Sequence, residues 1–143
     1  MKIIVLGAGL VGAPMAIDLN SDENFDVTVA DYSDDALNNI KAKCPELSII
    51  QKDLSNTKDV TSLVSDFDLV VNAVPGFMGF ETAKAIIKAG KDFVCIAFYE
   101  ENPFELDQIA LDNNVTMIMD CGIYPGMGSV MIMDVAQKLD KVD

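Results

Sequence analysis

Three glycines, Gly7, Gly9 and Gly12, stand at the spacing Gly-x-Gly-x-x-Gly in the stretch VLGAGLVGAPMA, Val5 to Ala16. Glycines at this spacing suit a phosphate-binding turn between a strand and a helix. Gly7 permits a tight turn, Gly9 has no side chain to keep a diphosphate from the backbone, and Gly12 lets a helix lie close on the preceding strand. The opening helix turn, with Leu10 and Val11 between the glycines, presents unpaired N–H groups and a partial positive charge. Pro14 falls early enough in that helix for its missing N–H to cost little.

Asp31 lies nineteen residues beyond Gly12 and ends the run FDVTVAD. A carboxylate there accepts hydrogen bonds from adenine-ribose hydroxyls. A 2′-phosphate about 4 Å away would be repelled by about 4 kcal/mol per charge pair at an effective dielectric near 20. Tyr32 and Ser33 follow, with no arginine, and Lys41 and Lys43 stand too far along the next helix. These residues favour NAD over NADP. A structural turn followed by a surface aspartate would carry the same letters, so the flanking elements decide.

Further along, Asp53-Leu54 ends an apolar run, where Asp53 reaches the adenine edge or caps the following helix. NAVPGF, Asn72 to Phe77, ends another. There Ala73 is small and Val74-Pro75 makes a stiff wall for a cofactor, although a plain loop also uses Pro-Gly. The late segment DCGIYPGMGSVMI, Asp120 to Ile132, carries three glycines and a proline. Asp120, Tyr124 and Tyr99 are the polar groups there suited to proton transfer or substrate contact. Each also has a plain structural reading, as turn former or packing aromatic. A metal site is not expected: the chain has no histidine, and Cys44, Cys95 and Cys121 lack ligand spacing.

The elements that must position these residues alternate. Strands are predicted in KIIVLG, FDVTVAD, LSIIQKD, FDLVVNAV, DFVCIAF and VTMIMD. Several are nearly unbroken apolar runs, as in parallel strands covered on both faces. Helices are predicted in APMAIDLN, in SDDALNNIKAKC capped by Ser33, in NTKDVTSLVSD, and in GFETAKAIIKAG ending at Gly90. Two more follow, in NPFELDQIALDNN with Asn102 as cap and Pro103 first, and in SVMIMDVAQKLD. Six alternations make a doubly wound α/β (Rossmann) fold: a six-stranded parallel sheet of order 3-2-1-4-5-6, helices on both faces.

The length of 143 residues suits one domain, residues 1–143, and half the residues are apolar. A net charge of −13 repels nucleic acid and anionic membranes, so neither is an expected partner. No apolar run reaches the ~18 residues of a membrane span. Lys2 and APMA superficially resemble a secretory leader, but cleavage would remove the first strand and all three glycines. Three cysteines, two in apolar runs, suit buried thiols in a reducing cytoplasm. The methionines read as packing, not as redox or metal groups.

KIIVLGAGLVG, the terminal Asp31, NAVPGF, FYEENPFELDQIALDNNVT and DCGIYPGMGSV together resemble the N-terminal domain of the saccharopine dehydrogenase family, most of all its lysine 6-dehydrogenase-like members. The resemblance covers essentially the whole chain, and the late Gly-x-x-Pro-Gly segment is its most specific part. It implies an NAD-dependent oxidoreductase that moves hydride between nicotinamide and an amine-bearing carbon of an amino-acid substrate. It also implies a second, largely β domain that supplies most substrate contacts and a homo-oligomer interface. On this reading the chain is the nucleotide-binding part of a longer enzyme and turns over little substrate alone. A ligand-sensing regulatory domain of a potassium transport system shares the length, the glycine turn and the acid. A polar, acidic loop would then follow strand four, where this chain has PGFMGF.

Overall fold

The computed structural model describes residues 1–139. The strands are β1 (Lys2–Leu6), β2 (Asp26–Asp31), β3 (Ser48–Gln51), β4 (Leu69–Asn72), β5 (Asp92–Cys95) and β6 (Met117–Ile118). They alternate with α1 (Gly12–Leu19), α2 (Asp34–Lys43), α3 (Thr57–Val64), α4 (Gly76–Lys88), α5 (Asp107–Asp112) and α6 (Met127–Ala136). The six strands form one parallel sheet in the order β3-β2-β1-β4-β5-β6. This is the doubly wound fold expected from the alternation. Asp140, the last residue of the segment expected to be helical, and the terminal Val142-Asp143 lie outside the described residues.

Alternation along the strands divides the core in two. Ile3 and Val5 of β1, with Val27 and Val29 of β2, pack against Ala16 of α1 and Leu37 and Ile40 of α2. Ile4 and Leu6, with Val70 and Phe93, pack against Val60 and Val64 of α3 and Ile86 and Ile87 of α4. Successive side chains point to opposite faces, so a strand covered by helices on both sides must be apolar throughout. Ile3, Ile4, Val5 and Leu6 are accordingly no more than 1% exposed. Each such side chain contributes about 1.5–3 kcal/mol by burial.

The caps follow their residue types. The Ser33 hydroxyl accepts the Ala36 N–H at 3.2 Å, and Asp34 and Asp35 sit in the first turn of α2. Gly90 closes α4 at φ +67°, a conformation that favours glycine. The carboxamide of Asn102 accepts the Phe104 N–H at 3.1 Å.

Several boundaries differ from those read in the sequence. The helix expected over NPFELDQIALDNN divides into a 3-10 turn, Pro103–Leu106, and the short α5. Helix α4 begins at Gly76, three residues before the expected Gly79, because Pro75 takes the N-cap position with an extended ψ of 145°. Strand β5 ends at Cys95, so Ile96 to Phe98 leave the sheet. Strand β6 is two residues long, and soon after it Asp120 takes the left-handed φ of +59°.

Cys44 and Cys95 are buried and Cys121 is partly so, all three as free thiols. Met117 and Met119 pack on the α3–α4 side of the core, as packing residues should. Helix α6 differs: none of its residues is buried, and Val130, Met131 and Ile132 are each at least 60% exposed. Among the described residues no helix is long and apolar enough to cross a membrane. Nor does any group of three or more His, Cys, Asp or Glu stand ready to hold a metal.

Candidate nucleotide-binding site

A cleft of about 1040 Å³ opens at the carboxyl ends of the strands. Gly7, Gly9, Leu10, Val11 and Gly12 line it from the turn after β1. Asp31 lines it from β2, Asp53 and Leu54 from beyond β3, and Ala73, Val74 and Pro75 from beyond β4. Every residue named from the sequence as a cofactor contact therefore meets in one place. The cleft lies where crossovers diverge from β1 to opposite sides of the sheet, the position at which open α/β sheets leave a crevice.

The glycine turn is shaped by its neighbours. The Gly7 N–H donates to the Ala30 carbonyl at 2.8 Å, and the Ala73 N–H donates to the Leu6 carbonyl at 3.0 Å. These bonds fix the turn between β2 and β4. At φ +109°, Gly7 holds a conformation that L side chains rarely adopt, and a Cβ there would meet the Ala73 carbonyl oxygen at 2.7 Å. A Cβ on Gly12 would meet the Gly7 carbonyl oxygen at 2.1 Å, so α1 rests directly on the turn. A Cβ on Gly9 would meet nothing within 4 Å. The space above Gly9 is open to the cleft. Among the described residues, the N–H groups of Gly9, Leu10, Val11 and Gly12 have no hydrogen-bond acceptor. Four consecutive free donors at a helix N-terminus are the kind of donor set that an anion can use.

Asp31 occupies the rim between this turn and α2. One carboxylate oxygen accepts the Ala8 N–H at 2.7 Å and the other accepts the Ser33 N–H at 2.8 Å. Asp53 follows β3, the strand beside β2, and its carboxylate accepts the Ser55 N–H at 2.9 Å. That bond holds its pKa below the usual carboxylate value. The helix-cap alternative for Asp53 is corrected by the structure: α3 is capped by Asn56, which accepts the Lys58 N–H at 3.1 Å. Asp53 instead closes a local turn of its own. Among the described residues, no lysine or arginine lines the cleft.

Beyond β4, the buried Asn72 donates from Nδ2 to the Gly79 carbonyl at 3.3 Å and to Cys95 Sγ at 3.5 Å. It ties the start of α4 to the sheet, while its Oδ1 has no partner among the described residues. Burial pushes the Cys95 thiol up to about 11, which keeps it protonated and unreactive at neutral pH.

The three residues considered for proton transfer separate in the structure. Asp120 and Tyr124 line a smaller cavity of about 200 Å³ that shares Val11, Ile96 and Phe98 with the main cleft. Tyr99 lines neither. It is 9% exposed, packs edge-on against Phe80 with centroids 5.4 Å apart, and donates its hydroxyl to Met119 Sδ at 3.6 Å. Burial pushes its phenol well above the ordinary tyrosine range. Its place is in the core.

Sequence reasoning left out Tyr32, Phe77, Ile96, Ala97 and Phe98, all of which line the cleft. Tyr32 is 74%, Phe77 89% and Phe98 73% exposed. The available signal was positional: each directly follows, or closely follows, the carboxyl end of a strand beside the crevice.

Comparison with known proteins agrees with this geometry. Residues 3–118 match the model of the saccharopine dehydrogenase NADP binding domain. Saccharopine dehydrogenase [NADP(+), L-glutamate-forming] of Pyricularia oryzae is 26% identical over 126 residues, covering 88% of this chain and 28% of that protein. Mitochondrial alpha-aminoadipic semialdehyde synthase of Mus musculus is 27% identical over 136 residues, covering 93% of this chain and 14% of that protein. The chain thus spans well under a third of these relatives. The apo saccharopine dehydrogenase (L-Glu forming) structure from Saccharomyces cerevisiae superposes with a TM-score of 0.81 at 19% identity, over 96% of this chain and 31% of that one, and shares its fold. The potassium-transport alternative receives no support from these matches. With most of its length accounted for by one family model, the chain belongs to the saccharopine dehydrogenase NADP-binding domain family.

Proposed function

We propose that the cleft binds a pyridine dinucleotide, NAD in preference to NADP, for an oxidoreductase acting on an amine-bearing carbon. The observation that carries this reading is the row of four unpaired amides, Gly9 to Gly12, beneath open space. A diphosphate fits that donor set. Asp31 faces the adenine ribose, and the Ala73–Pro75 and Ile96–Phe98 walls flank the nicotinamide end. When bound, nicotinamide supplies the hydride acceptor or donor. Asp120 and Tyr124, in the adjoining cavity, meet the amino-acid substrate, with Asp120 holding its cationic nitrogen. In this proposal most substrate contacts come from outside the domain, in keeping with the greater length of the relatives.

The family description names NADP, but the ribose end of this cleft does not suit a 2′-phosphate. Asp31 and Asp53 line it, Asp34 and Asp35 follow on α2, and among the described residues no basic side chain lines it to answer the added charge. Repulsion of about 1–4 kcal/mol per pair at 4 Å, between the water and near-surface limits, sets the scale. Calorimetric titration of the chain with each cofactor tests this. The expected result is saturable NAD binding with NADP weaker by about a hundredfold. NADP binding as tightly as NAD overturns the selectivity, and binding of neither overturns the nucleotide reading.

A further inference from the structure

Asp31 does more than face the ribose: we infer that its carboxylate is a positioning group for the phosphate loop, an inference that rests on the nucleotide reading above. Its two oxygens are engaged by two different segments, the glycine turn through Ala8 N–H at 2.7 Å and the start of α2 through Ser33 N–H at 2.8 Å. Its own carbonyl accepts the Lys52 N–H at 2.8 Å, so the backbone that carries it is anchored to the end of β3. Neither the side chain nor the main chain of Asp31 is free to move independently.

The arrangement begins at Gly7. Its N–H is fixed on the Ala30 carbonyl, and its φ of +109° turns the following peptide so that the Ala8 N–H meets Asp31. Ala8 is 6% exposed and its N–H has no other acceptor. The next four amides are the free ones, Gly9 to Gly12. The Ala8–Asp31 bond therefore stands at the boundary between donors used by the fold and donors left for a ligand. Without the carboxylate, a buried N–H loses its partner, and the turn recovers one by rotating the Ala8 peptide. That rotation disperses the row of donors that follows. A carboxylate offers about four lone-pair sites, so two amides leave capacity for ribose hydroxyls. Asp31 can serve both roles at once.

The two roles separate with a nucleotide that has no ribose hydroxyls, 2′,3′-dideoxyadenosine 5′-diphosphate. If Asp31 only touched the ribose, Asp31→Ala would remove none of this probe's contacts. The probe would even bind more tightly, because one negative charge near the diphosphate is gone. Positioning predicts the opposite sign: the probe binds about tenfold more weakly to Asp31→Ala, and Asp31→Asn, which keeps one acceptor oxygen, falls between. Amide hydrogen exchange at Ala8 in the nucleotide-free chain gives a second reading, expected to be about tenfold or more faster in Asp31→Ala. Should Asp31→Ala not fold, Asp31→Asn carries both measurements. Equal or tighter probe binding, or unchanged exchange at Ala8, overturns the inference. Failure of the wild-type chain to bind NAD overturns the nucleotide reading instead; with or without probe binding, faster exchange at Ala8 in Asp31→Ala supports the positioning bond and unchanged exchange overturns it.

Discussion

Gly9→Ala is expected to leave the fold intact and to weaken NAD binding by about a hundredfold, the loss of about two charge-assisted hydrogen bonds. A Cβ at this position meets nothing within 4 Å, and Gly9 does not hold a positive φ. Alanine therefore introduces no clash and no backbone strain. The thermal midpoint should stay within a few degrees of wild type, because a surface substitution free of such features costs about 0.5 kcal/mol or less. The methyl group instead fills the space through which a diphosphate approaches the amides of Gly9 to Gly12. Paired melting and calorimetric titration measure the two effects. Unchanged affinity would place the diphosphate elsewhere.

Gly12→Ala is expected to fail in both respects. Its Cβ would lie 2.1 Å from the Gly7 carbonyl oxygen and 3.2 Å from Ala73 Cβ. The first contact is with backbone, which cannot rotate away as a side chain can. Helix α1 must then lift from β1, opening the interface that Ala16 shares with Ile3 and Val5. Overpacking of this kind costs about 3 kcal/mol, which lowers the melting temperature by roughly 10 °C for a domain of this size. The donor row moves with the helix, so NAD affinity falls by at least about a hundredfold. A melting temperature equal to wild type would contradict the close helix–strand approach. The contrast between the two alanines is the useful point, since residues three apart in one motif answer to different forces. One is open for a ligand and the other is closed by the fold.

Much of this was legible in the sequence because it depends on local pattern. The apolar runs marked the strands, Ser33 and Asn102 marked helix starts, and the glycine spacing with Asp31 marked the cleft. What was not legible depends on contacts between distant segments. Asp31 could be read as an acid at a strand end. Its bond to Ala8 could not, because that bond requires the Gly7 conformation and the pairing of β1 with β2 together. Tyr99 sits in a loop after β5, where polarity and position suggested the crevice. The Phe80 ring of α4 and Met119, just beyond β6, draw it into the core instead. Asp53 resembled a helix cap because it precedes a helical run, but Asn56 stands next to the first turn and takes that role. The division of the helix after Asn102 also escaped the sequence pattern, because a 3-10 turn and a helix share one run of apolar spacing.

The four amides from Gly9 to Gly12 can be followed atom by atom. In nitrogen–proton correlation spectra of the uniformly labelled chain, NAD titration should shift the Gly9, Leu10, Val11 and Gly12 amide signals together, along one saturable curve. The Ala8 signal, already bonded to Asp31, should move much less. Saturable NAD binding that leaves those four signals in place would show that the coenzyme is held elsewhere.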